Sequence, residues 1–197
     1  MRMKTIRAFL FILLLFPGLL PGADQIPGRF VRVMQRALDA DAAWTMTKRM
    51  SRPALTLTSS GKVSCFAGRG IIWMSLHPFA QQIRMTRDAM TFVSELDTVT
   101  KPLAELPHYG EVRRAVDAFL AGEAGPFSTL FAWSWKSAEK GWVMTLEPKH
   151  PGMARLVQRA RLEGDTTLER VRLVYASGDR VDLTFKESGR ALHGLWK

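Results

Sequence analysis

The sequence predicts an α+β domain built on one large antiparallel sheet. Three observations predict it: short β-rich runs separated by turn residues between Trp44 and Val93, a second set between Phe127 and Phe185, and two amphipathic helical stripes lying apart in the chain. The first stripe follows Pro27-Gly28 and places Phe30, Val33, Met34, Ala37 and Leu38 at i, i+3, i+4, i+7 and i+8, so a helix is expected to run to about Asp39–Asp41. The first set of strands is expected at 44–50, 54–58, 62–67, 70–76, 81–86 and 89–93. Ser59-Ser60-Gly61 and Ala67-Gly68-Arg69-Gly70 read as turns or kinks, so either pair of flanking runs is also compatible with one long bent strand. The second stripe, Val112, Ala115, Val116, Phe119 and Leu120, predicts a helix over 111–120 with Arg113, Arg114 and Asp117 on its polar side. Strands are then expected at 127–135, 141–146, 154–162, 168–175 and 180–185, with turns at Gly164-Asp165 and Ser177-Gly178-Asp179; residues 153–161 are equally compatible with a short helix.

At the N-terminus, Arg2, Lys4 and Arg7 precede the apolar run 8–16, which gives way to Pro17, Gly18, Pro21, Gly22 and Ala23. This is the pattern of a secretory signal peptide: the run is far shorter than the roughly 20 residues a spanning helix needs, and small residues follow it where cleavage would occur. Residues 1–23 are therefore expected to be a leader, residues 24–197 one domain, and the mature protein periplasmic. The competing reading is an uncleaved membrane anchor, against which stand the prolines and glycines that interrupt the apolar stretch. No Pro- or Ser-rich linker, internal repeat or low-complexity stretch divides the remainder.

The formal net charge is +10 over the chain, of which the leader contributes three, leaving about +7. A charge of that size suits a solvated face or transient contact with an anionic membrane surface. The dispersion of basic residues along strands and helices argues against nucleic acid as a partner. Cys65 is the single cysteine, which excludes an intramolecular disulfide and leaves the fold to be held by its apolar core. Flanked by Val63 and Phe66, it reads as a buried strand thiol.

A search for reactive chemistry finds no catalytic constellation. Ser59 and Ser60 lack nucleophile-elbow spacing, and His77, His108, His150 and His193 are scattered, two of them in His-Pro pairs at expected strand ends. No metal-ligand cluster or phosphate-cradling glycine loop is present, so neither a metal nor a cofactor is expected, and the protein reads as a non-enzyme. What the strands do carry is large, soft apolar side chains: Trp44, Met46, Trp73, Met74, Met85, Trp133, Trp135, Trp142 and Met144. Such residues tolerate irregular partners such as acyl chains, and they also build ordinary cores. Strand parity sends Trp73 and Met74 to opposite faces. Pattern alone is compatible with a solid core and with a cavity.

Several of these strand residues belong to a recognisable order of motifs. Leu57-Thr58-Ser59-Ser60-Gly61-Lys62-Val63, then Gly70-Ile71-Ile72-Trp73, Pro78-Phe79 and Ile83-Arg84-Met85-Thr86, are followed by Trp142-Val143-Met144-Thr145-Leu146-Glu147-Pro148-Lys149. Leu168-Glu169-Arg170-Val171 and Gly178-Asp179-Arg180-Val181-Asp182-Leu183-Thr184-Phe185 close the series. Taken together, over nearly the whole mature chain, this order resembles the LolA-type periplasmic outer-membrane lipoprotein carriers. Two departures mark a divergent branch. The family's Arg-Pro pair is replaced by Cys65-Phe66-Ala67-Gly68-Arg69-Gly70, with Arg69 displaced and no proline, and the glutamine usual in the first strand is replaced within Trp44-Thr45-Met46-Thr47.

The resemblance implies an unclosed, strongly curved half-barrel whose apolar concave face is covered by helices acting as a lid. It implies a monomeric carrier that takes an acylated lipoprotein or other lipid cargo from an inner-membrane transporter to an outer-membrane receptor. On that reading Trp44, Met46, Trp73, Ile83, Met85, Trp133, Trp142 and Met144 are the candidate cavity lining. Phe30, Val33, Met34, Val112, Val116 and Phe119 are the candidate lid residues, and Arg69 is the candidate latch. The alternative is an interaction module that binds another envelope protein and holds no lipid.

Overall fold

The computed structural model describes residue 33 and residues 41–66, 69–105, 131–149 and 151–187. Eleven strands account for most of these: β1 (Asp41–Ser51), β2 (Ala54–Phe66), β3 (Gly70–His77), β4 (Gln81–Met85), β5 (Ala89–Ser94), β6 (Thr98–Pro102), β7 (Phe131–Ala138), β8 (Gly141–Pro148), β9 (Val157–Gly164), β10 (Leu168–Tyr175) and β11 (Arg180–Glu187). One short helix, α1 (Pro151–Ala154), and a 3-10 turn at Leu103–Glu105 complete the described elements.

All eleven strands form a single antiparallel sheet in the order β6-β5-β4-β3-β2-β1-β11-β10-β9-β8-β7. Each half is a meander of consecutive neighbours, and the halves are joined where β1 pairs with β11, Trp44 opposite Phe185 and Met46 opposite Leu183. The strands β6 and β7 lie at the two ends and do not pair with each other, so the sheet is open.

Period-two alternation explains why this sheet has two unlike faces. Following the register outward from Trp44, the same face receives Val63, Cys65, Ile71, Trp73, Ile83, Met85, Met90 and Phe92 in one direction. In the other it receives Leu183, Val171, Leu173, Leu162, Ala160, Met144, Leu146, Trp133 and Trp135. These residues are buried, or pack partly buried against one continuous apolar cluster. The opposite face carries Thr45, Thr47, Arg49, Thr184, Asp182, Arg170, Arg172, Arg161 and Glu163. Its ion pairs run across strands, with Arg159 Nη2 2.9 Å from Glu147, Arg172 Nη1 3.2 Å from Glu163 and Arg170 Nε 3.4 Å from Asp182. All are partly exposed, so each contributes at most about 1 kcal/mol and the face acts mainly as a solvated surface.

The sheet curls toward its apolar side. Strands β3 and β11 are three places apart, roughly 14 Å on a flat sheet. Yet the Trp73 and Phe185 rings meet edge to face with centroids 6.4 Å apart. The curl of the sheet and the lean of both side chains close that gap.

Several local expectations are refined by the structure. Residues 54–58 and 62–66 belong to one thirteen-residue strand. Ser59-Ser60-Gly61 is not a turn, although the pairing with β3 slips between Ser60 and Gly61. Strand β9 begins at Val157, after α1, rather than at 154. Strand β6 carries no apolar signal: all five residues are exposed and it ends in proline, as edge strands do. Backbone pairing to β5 and a 3.0 Å contact between the Thr91 and Thr100 hydroxyls hold it. The turn at 177–179 is where it was expected, with Gly178 at a φ of 85° that other residues resist. The helices expected before residue 40 and over 111–120 lie outside the described residues apart from Val33, so the described part of the domain is almost entirely strand.

One contact ties the two halves at the hairpin end. The Ser51 amide donates to Asp179 Oδ1 at 2.9 Å, and the Ser51 hydroxyl donates to the Ser177 carbonyl at 2.8 Å. Burial alone would raise the Asp179 pKa, but the Ser51 hydrogen bonds and the Lys48 charge outweigh it and hold the carboxyl below its usual range. A depressed carboxyl contributes stability above its unfolded pKa and loses it as pH falls through the lower folded value. Asp179→Ala is therefore expected to cost about 1 kcal/mol at neutral pH, in urea titrations of wild type and variant. The difference should shrink as pH falls below the ordinary value of 3.8. The core makes a larger demand: Leu183→Ala, at a fully buried position in the centre of the apolar face, is expected to cost about 2–5 kcal/mol. Thr58→Ala, on the exposed face, should stay within about 0.5 kcal/mol in the same assay.

Candidate functional site

The apolar concave face is the candidate site, and its construction starts from tryptophan placement. Trp44 on β1 lies opposite Gly61 on β2. A Cβ at position 61 would collide with the Met74 carbonyl and come within 2.8 Å of Trp44 Cζ2. Glycine thus clears the space across which the Trp44 ring reaches Trp73, two strands away, stacking at 4.6 Å between centroids. A second stacked pair, Trp135 and Trp142 at 5.0 Å, stands near the other edge of the sheet on β7 and β8. Trp142 donates its indole N–H to the Asp165 carbonyl at 2.8 Å, which fixes the ring against the β9–β10 turn. Gly164 supports this arrangement, since a Cβ there would press on the Thr167 carbonyl and on the Trp142 ring.

Fully buried methionines flank the two tryptophan pairs on the same face: Met85 and Met90 on β4 and β5, beyond Trp73, and Met144 on β8, on the strand of Trp142. All eight residues named as candidate lining, Trp44, Met46, Trp73, Ile83, Met85, Trp133, Trp142 and Met144, fall on this one face by register. Met74 lies on the opposite face, as its adjacency to Trp73 requires. The face also holds residues not singled out from the sequence, including Phe92, Met90, Leu162 and Leu183. Alternation within each strand is the signal that would have found them.

Burial along the face is graded. On β2 the same-face positions run from Leu55 and Leu57, each 47% exposed, through half-buried Ser59 to buried Gly61, Val63 and Cys65. The apolar face therefore opens at the β1–β2 hairpin end. Lys48 lies there too, opposite Leu57, with its ammonium 5.9 Å from the Tyr175 ring centroid. Burial, and then the nearby Asp179 charge, push the Tyr175 phenol well above its usual pKa.

Of the candidate lid residues, Val33 is described: it is helical, 2% exposed, and part of the same apolar cluster as the sheet face. Phe30, Met34, Val112, Val116 and Phe119 lie outside the described residues. Arg69, the candidate latch, occupies the exposed turn before β3, its amide donating to the Phe66 carbonyl at 3.1 Å.

Neither a protein-family model nor a curated protein matches the sequence. Solved structures do match. The similar folds include members of the LolA superfamily. A LolA superfamily protein from Nitrosomonas europaea aligns over 88% of this chain and 98% of its own, with 11% identity and a TM-score of 0.46. The MucA/MucB complex of Pseudomonas aeruginosa aligns over 86% of this chain and 60% of the matched one, with 10% identity and a TM-score of 0.46. A putative outer membrane lipoprotein-sorting protein domain from Vibrio parahaemolyticus aligns over 85% and 95%, with 10% identity and a TM-score of 0.39. At these identities the likeness is one of fold.

On the polar face, a shallow depression of about 210 Å³ is lined by Thr45, Thr47, Arg49, Arg170, Asp182 and Thr184. It contains no histidine or cysteine to activate a nucleophile. Among the described residues no group of three or more His, Cys, Asp or Glu side chains is placed to hold a metal ion, and no helix is long and apolar enough to cross a membrane.

The single thiol reports on the integrity of the site. Cys65 lies on the apolar face and is buried, so it is expected to resist a thiol reagent such as dithionitrobenzoate in the native protein and to react fully in denaturant. Rapid native reaction would show that this end of the face is open to solvent.

Proposed function

We propose that the protein is a carrier that holds acyl chains of a lipoprotein or lipid-linked cargo against the concave apolar face and moves them between membranes. The observation that carries this reading is the gathering of Trp, Met, Phe and branched aliphatic side chains from ten of the eleven strands into one apolar cluster on the concave side of a sheet whose ends do not meet. An open sheet with such a face can part at its unpaired edges to admit a chain, which a closed barrel cannot do without breaking strand pairs. The thermodynamic need is plain: exposing a roughly 16-carbon chain to water costs about 0.8 kcal/mol per methylene, on the order of 10 kcal/mol. Contact with Trp44, Met46, Trp73, Ile83, Met85, Trp133, Trp142 and Met144 would offset most of that.

Release requires that the bound state not be too stable. The candidate lid stripes, with buried Val33 among them, cover the face when it is empty and move aside when it is loaded, giving two states a few kcal/mol apart. Arg69, in the turn before β3, is the candidate latch of that lid. Donor and acceptor are membrane-bound partners on either side of the periplasm, the basic surface assists docking, and no catalysis is involved.

One observation favours a second reading. The edge strand β6 is exposed at all five residues and offers unpaired backbone to an incoming strand, as a module that binds another envelope protein without lipid would.

Purification of the native protein from the periplasm, followed by mass spectrometry of bound material, tests the choice. The carrier reading predicts a stoichiometric acylated species and a change in tryptophan emission when it is removed. Lipid-free protein that binds no acylated ligand, together with a protein partner lost on mutating β6, would replace it with the second reading.

A further inference from the structure

Two polar groups on the apolar face have no hydrogen-bond partner. The indole Nε1 of Trp44, a residue only 3% exposed, and the hydroxyl Oγ of Ser59 are both buried and unsatisfied. Burying a donor without a partner is costly, because its bond to water is lost and not replaced. The other tryptophan whose indole bond is resolved on this face, Trp142, meets that requirement with the Asp165 carbonyl.

The two residues are neighbours in the sheet. In the β1–β2 register Trp44 faces Gly61 and Met46 faces Ser59, so Trp44 and Ser59 are diagonal partners on one face, about 7–8 Å apart at Cα. The Trp44 ring extends over Gly61 toward β2, where a side chain would block it. An indole N–H can only donate, and a hydroxyl can donate as well. The pair therefore suits a ligand atom that accepts hydrogen bonds.

Their position along the face says which kind of ligand. Ser59 marks the step on β2 between exposed Leu55 and Leu57 and buried Gly61, Val63 and Cys65. A hydrocarbon tail lying in the buried part and leaving through the open hairpin end would place its first polar group at this step. In an ester- or amide-linked acyl chain that group is a carbonyl, which accepts two hydrogen bonds.

We propose that Trp44 and Ser59 form a polar subsite that receives the carbonyl oxygen of an ester- or amide-linked acyl chain at the boundary between its buried tail and its exposed head. This rests on the carrier reading and sharpens it: the ligand class is acyl, not simply hydrocarbon, and the tail has a defined direction, with its terminus toward Trp73 and Met85.

The test compares soluble short-chain lipids that differ only at the linkage. A diacyl phosphatidylcholine is measured against its dialkyl ether counterpart, and an ester-linked diacyl lipopeptide against its ether-linked form, by calorimetry with the full mature chain. Wild type is expected to favour the ester by roughly fivefold in at least one pair, the worth of about one hydrogen bond. The pair that shows the preference names the source of the acyl group. Trp44→Phe and Ser59→Ala should each bring the ester-to-ether ratio toward one, whatever they do to absolute affinity. Ser59→Ala decides alone if Trp44→Phe fails to fold. Equal ester and ether binding in wild type, or a preference that survives the substitutions, overturns the subsite and leaves the carrier reading standing. Binding of neither member of either pair overturns both.

Discussion

The structure depends on a single constraint: side chains alternate along a strand, and a sheet with one buried face cannot slip register by one residue without turning its whole apolar set outward. Here the apolar face runs through ten strands, from β5 to β7, while Ser64, Phe66 and Ile72 at one end of β2 and β3 are buried on the other face as well. The apolar face joins Trp44 to Phe185 across the seam between the two halves and extends to Phe92 on one side and Trp133 on the other. Every other feature of the site follows from it. The tryptophan pairs can stack because their strands present them to the same side, buried methionines flank them on that side, and the charged residues are left to pair on the far face. The Ser51–Asp179 contact pins the seam at its exposed end, where the apolar face itself opens.

On the proposed carrier reading, the open topology is what makes this face usable. A closed barrel of similar composition would bury the same residues permanently. Among the described residues, the unclosed sheet ends in two edges, β6 and β7, that do not pair with each other. The graded burial along β2 then sets an inner and an outer end to the face: Trp73, Met85, Met90 and Met144 are buried, while Leu55 and Leu57 meet solvent. Such an arrangement suits a ligand with a tail and a head better than a uniformly apolar one. The unsatisfied indole and hydroxyl at the step between the two regions belong to the same logic.

Much of this was legible in the sequence. The strand texture, the Ser177-Gly178-Asp179 turn and the choice of large apolar residues all come from local pattern, and parity within a strand separates Trp73 from Met74 without any coordinates. Alignment between distant strands is a different matter. That Trp133 shares a face with Trp44 is decided by a chain of registers through β11, β10, β9 and β8, which no local window contains. Ser59-Ser60-Gly61 was compatible with a turn or with one long bent strand, and the structure shows the long strand. Its residues favour turns, yet the long pairing with β1 holds it extended, and the slip appears only against β3. Strand β6 lacked both alternation and hydrophobicity, since an exposed edge strand needs neither. Leu55 and Leu57 show the converse: apolar residues that local pattern assigns to a core, left exposed because the face ends there. The partnerless state of the Trp44 indole is visible only once the surrounding residues are in place.

The measurement that bears most directly on the central claim is methionine-methyl nuclear magnetic resonance of the protein in the presence of a fatty acid spin-labelled along its chain. The methionines are distributed for the purpose, with Met46, Met85, Met90 and Met144 on the apolar face and Met74 on the polar one. If acyl chains occupy the concave face, the label will broaden the first four signals more strongly than that of Met74. Broadening confined to Met74, or none at any methionine at saturating ligand, would contradict the account.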